Sequence, residues 1–238
     1  MRRCLHEFLG RVDYAEATAI QDECARLVKT GGEERLLLLE HPPVITLGRN
    51  ACDEDVLFGE EALRGRGVSI ARTNRGGRVT YHGPGQLVGY PILDLSPDRR
   101  DVARYLRDLE EVLIRALARF GVRASRFAGL TGVWAEDEKI ASIGVHLSRW
   151  VTTHGFALNV STDLEPFSLI VPCGQSTRAV TSMERLLGRA VPLEEVAAVL
   201  VGEFAIVFGR EMIPGSRDWA AGARPPAGEA RPPVREAS

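Results

Sequence analysis

Apolar side chains recur at Tyr14, Ala17, Ile20, Cys24 and Leu27. These steps of three and four predict an amphipathic helix that opens near Asp13 and is ended by Gly31-Gly32. The period then changes. RLLLLE at 35–40 and VITLG at 44–48 are short apolar runs split by His41-Pro42-Pro43, which predicts two strands joined by a rigid turn. A short helix and loop are expected over 51–67, a strand at GVSIAR (67–72), and another over 86–95 behind a Gly83-Pro84-Gly85 turn. Ser96-Pro97-Asp98 reads as a helix start, with Val102, Leu106, Leu109, Leu113, Leu117 and Phe120 as the apolar face until Gly121. VRASRF, TGVWAE, KIASIGVHLS and HGFALNV read as β-like runs, and Thr181-Ser182-Met183-Glu184 as a capping box ahead of ERLLG. A last amphipathic helix is expected over 193–208, with Val196, Leu200, Phe204 and Val207 on one side. Several strands between single helices, without regular βαβ alternation, predict an α/β (α+β) fold: a mixed β-sheet with packed helices.

Composition narrows this little. With 238 residues, 45% hydrophobic and 26% charged, the chain suits one soluble domain, expected over 1–213. The remainder, 214–238, is rich in Pro, Gly and Ala and is expected to be a disordered tail. A net charge of −2 without a basic stripe argues against nucleic acid. No apolar stretch reaches the roughly 18 residues that span a bilayer, and MRRCLHEFLGRVDY lacks a signal-peptide core. A cytoplasmic protein with no membrane partner is expected. Cys4, Cys24, Cys52 and Cys173 stand far apart with no CxxC pair, which disfavours disulfides and zinc and leaves free thiols.

Three segments carry candidate chemistry. In TNRGGRVTYHGPGQ, Gly76 and Gly77 let backbone approach a ligand where a Cβ would clash, and the Gly-Pro-Gly turn follows His82 directly. Lys139, one of two lysines in the chain, begins an apolar strand in which the small residues Ala141, Ser142 and Gly144 follow. Cys173 lies between Pro172 and Gly174 in LIVPCGQ, a turn-like setting poorly suited to core packing. A thiol near pKa 8.5 is only a few per cent thiolate at neutral pH, so a reactive cysteine needs a cation or base beside it. Lys139 is one candidate for that role, with His82, His146 and His154 as rivals that spacing alone does not separate.

RGGRVTYHGPGQLVGYPILDL, KIASIGVHLSRWVTTHGFALNVSTDLEPFSLIVPCG and AVTSMERL together resemble the lipoyl(octanoyl) transferase family, in order, over roughly 30–210. The resemblance implies a fold similar to the catalytic domains of biotin protein ligases and lipoate ligases. It also implies an acyltransferase that takes octanoyl from the phosphopantetheine thioester of acyl carrier protein, with no separate cofactor and no metal. The acceptor would be the ε-amine of a lysine on the lipoyl domains of 2-oxoacid dehydrogenases and the glycine cleavage H protein. By the same resemblance Cys173 would be the acyl-thioester nucleophile and Lys139 its pKa-lowering partner. Substrate contacts would fall on Arg75, Gly76, Gly77, Arg78, Val79, Thr80, Tyr81 and His82, on Ser142, Ile143 and Gly144, and on Gly155, Phe156 and Ala157. Tyr81 and nearby apolar side chains are expected to line an acyl tunnel. The chain departs from the family pattern at Asp137-Glu138 and at Gln175. Rival readings are an ATP-dependent ligase of the same fold, an amidotransferase between lipoyl domains, and a non-catalytic binder of carrier protein or lipoyl domain.

Overall fold

The computed structural model describes residues 1–171 and 179–216. Among them, seven strands form one sheet in the order β10-β1-β2-β6-β9-β8-β7, and three form a second in the order β4-β3-β5. Strands β1 (Arg2–Arg11), β2 (Glu34–Glu40) and β10 (Arg210–Pro214) run parallel, while β6 (Gln86–Ile92), β9 (Val151–Asn159), β8 (Glu138–Ser148) and β7 (Val133–Ala135) continue antiparallel. The sheet is therefore mixed, as the sequence predicted. The small sheet holds β3 (Val44–Leu47), β4 (Ser69–Arg72) and β5 (Val79–His82).

Both faces of the large sheet are buried, which explains the unbroken leucine run of β2. Leu36 and Leu38 join a core with α3 (Val102–Arg119) and α5 (Leu193–Phe208), whereas Leu37 and Leu39 pack under α1 (Tyr14–Lys29). Period-two alternation on a doubly covered strand leaves no polar side to show. The small sheet builds its own core from Ile45, Leu47, Leu63 of α2 (Glu60–Gly65), Tyr81 and Phe167.

Both proline turns turn out to be crossings between sheets. His41-Pro42-Pro43 leads from β2 in the large sheet to β3 in the small one, and Gly83-Pro84-Gly85 returns the chain from β5 to β6. The two crossings are tied together: the Gly85 amide donates to Glu40 Oε2 at 2.9 Å, and Glu40 ends β2.

Several elements differ from expectation. Strand β1 has no apolar signature because its buried Glu7 pairs with buried Arg35 at 3.0 Å, so the ladder carries an ion pair where a hydrophobe would have announced it. Helix α3 is capped by Asp101, whose carboxylate accepts from the Arg104 amide at 3.0 Å, and does not start at Ser96-Pro97-Asp98. Asp98 is instead drawn to Arg210 Nη1 at 2.8 Å, while Val102 is exposed. On α1 the buried stripe is Tyr14, Ala17, Gln21, Cys24, Ala25 and Val28, a small rotation from the expected one. VRASRF is no strand; only Ser125 bridges Trp134, because Arg126 is held by Glu110 and Glu111 of α3. In the capping box Ser182, not Thr181, caps α4 (Met183–Leu187). The last described strand reaches Pro214, where the tail was expected to begin, and residues 217–238 lie outside the described residues.

Candidate active site

Where the small sheet lies over the α1 side of the large one, a cavity of about 210 Å³ opens between them. Its floor is made of small side chains. Strands β8 and β9 pair Ser142 with Ala157 and Gly144 with Gly155, so the two short-side-chain segments singled out in the sequence meet as cross-strand partners. Val88 and Tyr90 of β6 extend this floor, and Val79, Thr80 and His82 of β5 form the opposite wall.

The third wall is the strap at 73–78. Its amides and carbonyls bond outward on both flanks: Arg49 donates to the Arg75 carbonyl, Asn50 to Gly77, and Gly76 donates to Val145 of β8. Arg75 is buried and wraps its guanidinium around β3, donating to the Thr46 carbonyl at 2.7 Å, the Thr46 hydroxyl at 2.9 Å and the Gly76 carbonyl at 3.0 Å. Arg78 is braced by the buried Asp55 carboxylate, which that guanidinium holds below the usual carboxylate range. The strap crosses Gly144 so closely that a Cβ there would stand 2.9 Å from the Gly76 carbonyl oxygen and 3.2 Å from Arg75 Cδ. Gly144→Ala is therefore expected to lift the strap, costing about 1–3 kcal/mol as overpacking does. The thermal midpoint should fall and KM for the substrate should rise; an unchanged KM would show that the strap does not touch substrate.

Of the predicted substrate-contacting residues, Arg75, Gly77, Arg78, Val79, Thr80, His82, Ser142, Ile143, Gly144, Gly155, Phe156 and Ala157 line the cavity, as does Lys139. Gly76 and Tyr81 do not. Gly76 acts through its backbone, and the Tyr81 ring packs edge-on against Phe167 at 5.5 Å inside the small-sheet core, so the expected tunnel-lining role for Tyr81 is corrected. Burial pushes the Tyr81 hydroxyl up to about 12.

Sequence reasoning missed Tyr14, Val88, Tyr90, Leu130, Thr131, Trp134, Phe167 and Val180 in the lining. Val88 and Tyr90 stand two apart on one strand and were legible as one face; the rest are brought in by tertiary contacts.

Lys139 is half-buried at the cavity edge, its Nζ 5.2 Å from the centre of the Trp134 ring. Its backbone is bound by residues that follow Cys173 in the sequence: its amide donates to the Ala179 carbonyl and its carbonyl accepts from Thr181. Ahead of Cys173 in the sequence, the Val171 amide donates to the Asp55 carbonyl. Cys173 itself lies outside the described residues.

The rival histidines are poorly suited to deprotonate a thiol. His82 is fully enclosed, with Nδ1 at 2.7 Å from Gln86 Oε1, and burial together with nearby His41 and Arg75 pushes it down to about 3. His154, lowered to about 4 by burial and Arg75, faces Asn74 Oδ1 at 2.6 Å. His146 does not line the cavity. A base whose pKa lies several units below neutrality accepts protons weakly.

A mixed sheet of this order, capped by a three-stranded sheet over a narrow cavity, defines a catalytic domain of the type shared by lipoate ligases and biotin protein ligases. The resemblance in fold is direct: the lipoate protein ligase of the Thermoplasma acidophilum lipoylation system superposes with a TM-score of 0.75 at 20% identity, covering 94% of this chain and 91% of that one. A lipoate-protein ligase A bound with ATP gives 0.73 at 18% identity, covering 93% and 92%. The chain belongs to the family described as lipoyl protein ligase A/B catalytic domain, whose model matches residues 13–205. Within that family it is 56% identical to the octanoyltransferase of Solibacter usitatus over 90% of this chain and 97% of the relative, and 49% identical to that of Geobacter metallireducens over 86% and 93%.

Proposed function

We propose that the chain is an octanoyltransferase acting in protein lipoylation, which moves octanoyl from acyl carrier protein to the ε-amine of a lysine on a lipoyl domain through a thioester on Cys173. The observation that carries this reading is the narrow cavity with small floor residues and Lys139 at its edge, in a chain 56% identical to an octanoyltransferase. Each buried methylene contributes about 0.8 kcal/mol, so an eight-carbon chain supplies several kcal/mol of binding. A carrier thioester exchanges with a cysteine thiolate at little free-energy difference, which keeps the acyl group activated after the carrier leaves; the kinetics are then ping-pong. The acceptor amine, with an ordinary pKa near 10.4, is almost wholly protonated at neutral pH and must lose a proton to attack. Lys139 is the group assigned to both proton transfers.

The ATP-dependent alternative needs room for a nucleotide beside the chain. The cavity of about 210 Å³ has room for a slender acyl group. The test is transfer from octanoyl carrier protein to an apo lipoyl domain without ATP, read as a mass gain of one octanoyl group on the acceptor. Strict dependence on ATP would overturn the reading, and transfer only from an octanoylated lipoyl domain would make the protein an amidotransferase. In a chain-length competition, octanoyl is expected to exclude palmitoyl; equal use of both would show that the cavity has no closed end.

A further inference from the structure

Lys139 sits in a slot, and we infer that Trp134 is the positioning residue that fixes where its amine points. The inference rests on the acyl-transfer reading above, since it concerns the group assigned to proton transfer there.

One wall of the slot is the indole. Lys139 Nζ lies 5.2 Å from the Trp134 ring centre, within the range at which a cation is held by the negative face of an indole. The placement is built into the ladder between β7 and β8. Ala141 pairs with Val133 but Lys139 pairs with Trp134, so one extra residue bulges from β8 and brings lysine and indole opposite one another. The other wall is Gly132. A Cβ there would stand 2.7 Å from Lys139 Cε and 2.8 Å from the Ala141 carbonyl oxygen, so only a hydrogen fits against the lysine stem. Gly132 is pinned in turn: its amide donates to Glu110 Oε1 at 3.0 Å. Glu110 is buried on α3 and accepts from Arg107 at 2.7 Å and Arg126 at 3.0 Å.

The indole N–H of Trp134 is buried with no hydrogen-bond partner among the described residues. That arrangement is unfavourable, and it means the ring is not placed here for its donor. What the ring offers Lys139 is its face. A shift of an ångström in a reacting group is enough to slow a positioned reaction substantially, so weakening that hold should appear in turnover before it appears in binding.

The ring also packs edge-on against Phe127 at 5.2 Å, and the test must separate scaffold from positioning. Tryptophans carrying one, two and three fluorines, placed site-specifically at position 134 of the full chain, keep the shape and weaken the ring face stepwise. Octanoyl transfer should lose kcat in steps, reaching about tenfold at three fluorines, with KM and the thermal midpoint unchanged. Trp134→Phe should retain more kcat than Trp134→Leu although both lose similar stability. A second readout needs no turnover. The chain has two lysines, so acylation by a small amine-reactive reagent can be followed at Lys139 against Lys29 as internal standard; the ratio should change stepwise along the same series. A flat labelling series, or a flat kcat series in an active enzyme, overturns the inference. A graded labelling series in a chain that transfers no octanoyl supports the slot and removes the acyl-transfer reading instead.

Discussion

Cys173→Ser protein is expected to melt like wild type and to lose octanoyl transfer by three orders of magnitude or more. The reason is the leaving and attacking chemistry of sulfur. A thiol is partly ionised near neutrality when a cation stands beside it, whereas a hydroxyl is not, and an oxygen ester formed in its place would not hand the acyl group on as a thioester does. Lys139→Arg separates the two halves of the cycle. A guanidinium keeps the positive charge but cannot give up its proton in a protein, so it can favour a thiolate yet cannot serve the incoming amine. Its forked head must also pass Gly132, where a single added carbon would already collide with the lysine stem. Intact-mass measurement should therefore show acyl-enzyme forming on Lys139→Arg while transfer to the lipoyl domain falls by most of its rate. A fully active Lys139→Arg enzyme would leave lysine with an electrostatic part only.

Acid should unfold the protein between pH 6.5 and 4, before most carboxylates are protonated. His41, His82 and His154 stand together around Tyr14 and Tyr90, with His41 Nε2 2.7 Å from the Tyr90 hydroxyl and the His82 ring stacked on Tyr14 at 6.2 Å. Burial lowers them to about 4, about 3 and about 4, from an ordinary value of 6.5. A group whose folded pKa is depressed contributes stability that is complete above the unfolded value and is lost as pH falls toward the folded one. Each such histidine costs about 1.4 kcal/mol per pH unit in that window. Glu34 and Asp108, raised by burial, work in the opposite sense and offset part of the loss. A net slope of one to three protons, about 1.4–4 kcal/mol per pH unit, is large against a total stability of about 5–15 kcal/mol. Denaturant midpoints measured at pH 7.5, 6.5, 5.5 and 4.5 check this. Flat midpoints would mean these rings are not buried neutral in solution.

The legible part of the fold was the part written in apolar periodicity. Helices α1, α3 and α5 and strands β2, β3, β4, β6, β8 and β9 each carried a run or stripe of their own. Strand β1 did not, because Glu7 and Arg35 bury a charge pair inside the ladder. Helix α3 was started too early because Asp98 offers the chemistry of a cap while spending its carboxylate on Arg210. At the site, short motifs named the residues and pairing explains their convergence: Ser142 meets Ala157 and Gly144 meets Gly155. Tyr81 misled because its neighbours Val79, Thr80 and His82 line the cavity while its own ring is taken up by Phe167 in the small-sheet core. Trp134 looked like one more strand residue, since only the bulge in β8 reveals that it opposes Lys139.

The tie between Glu40 and Gly85 has a consequence for how substrate enters. Two peptide crossings link the sheets at nearly one spot, and the Glu40 carboxylate clips them to each other. A jaw hinged and latched at the same corner cannot gape there. The opposite rim is no looser, because the Arg75–Arg78 backbone is bonded to Gly48, Arg49 and Asn50 on one flank and to Val145 of β8 on the other, so the layers are tied at both ends and a slender substrate enters by sliding between them.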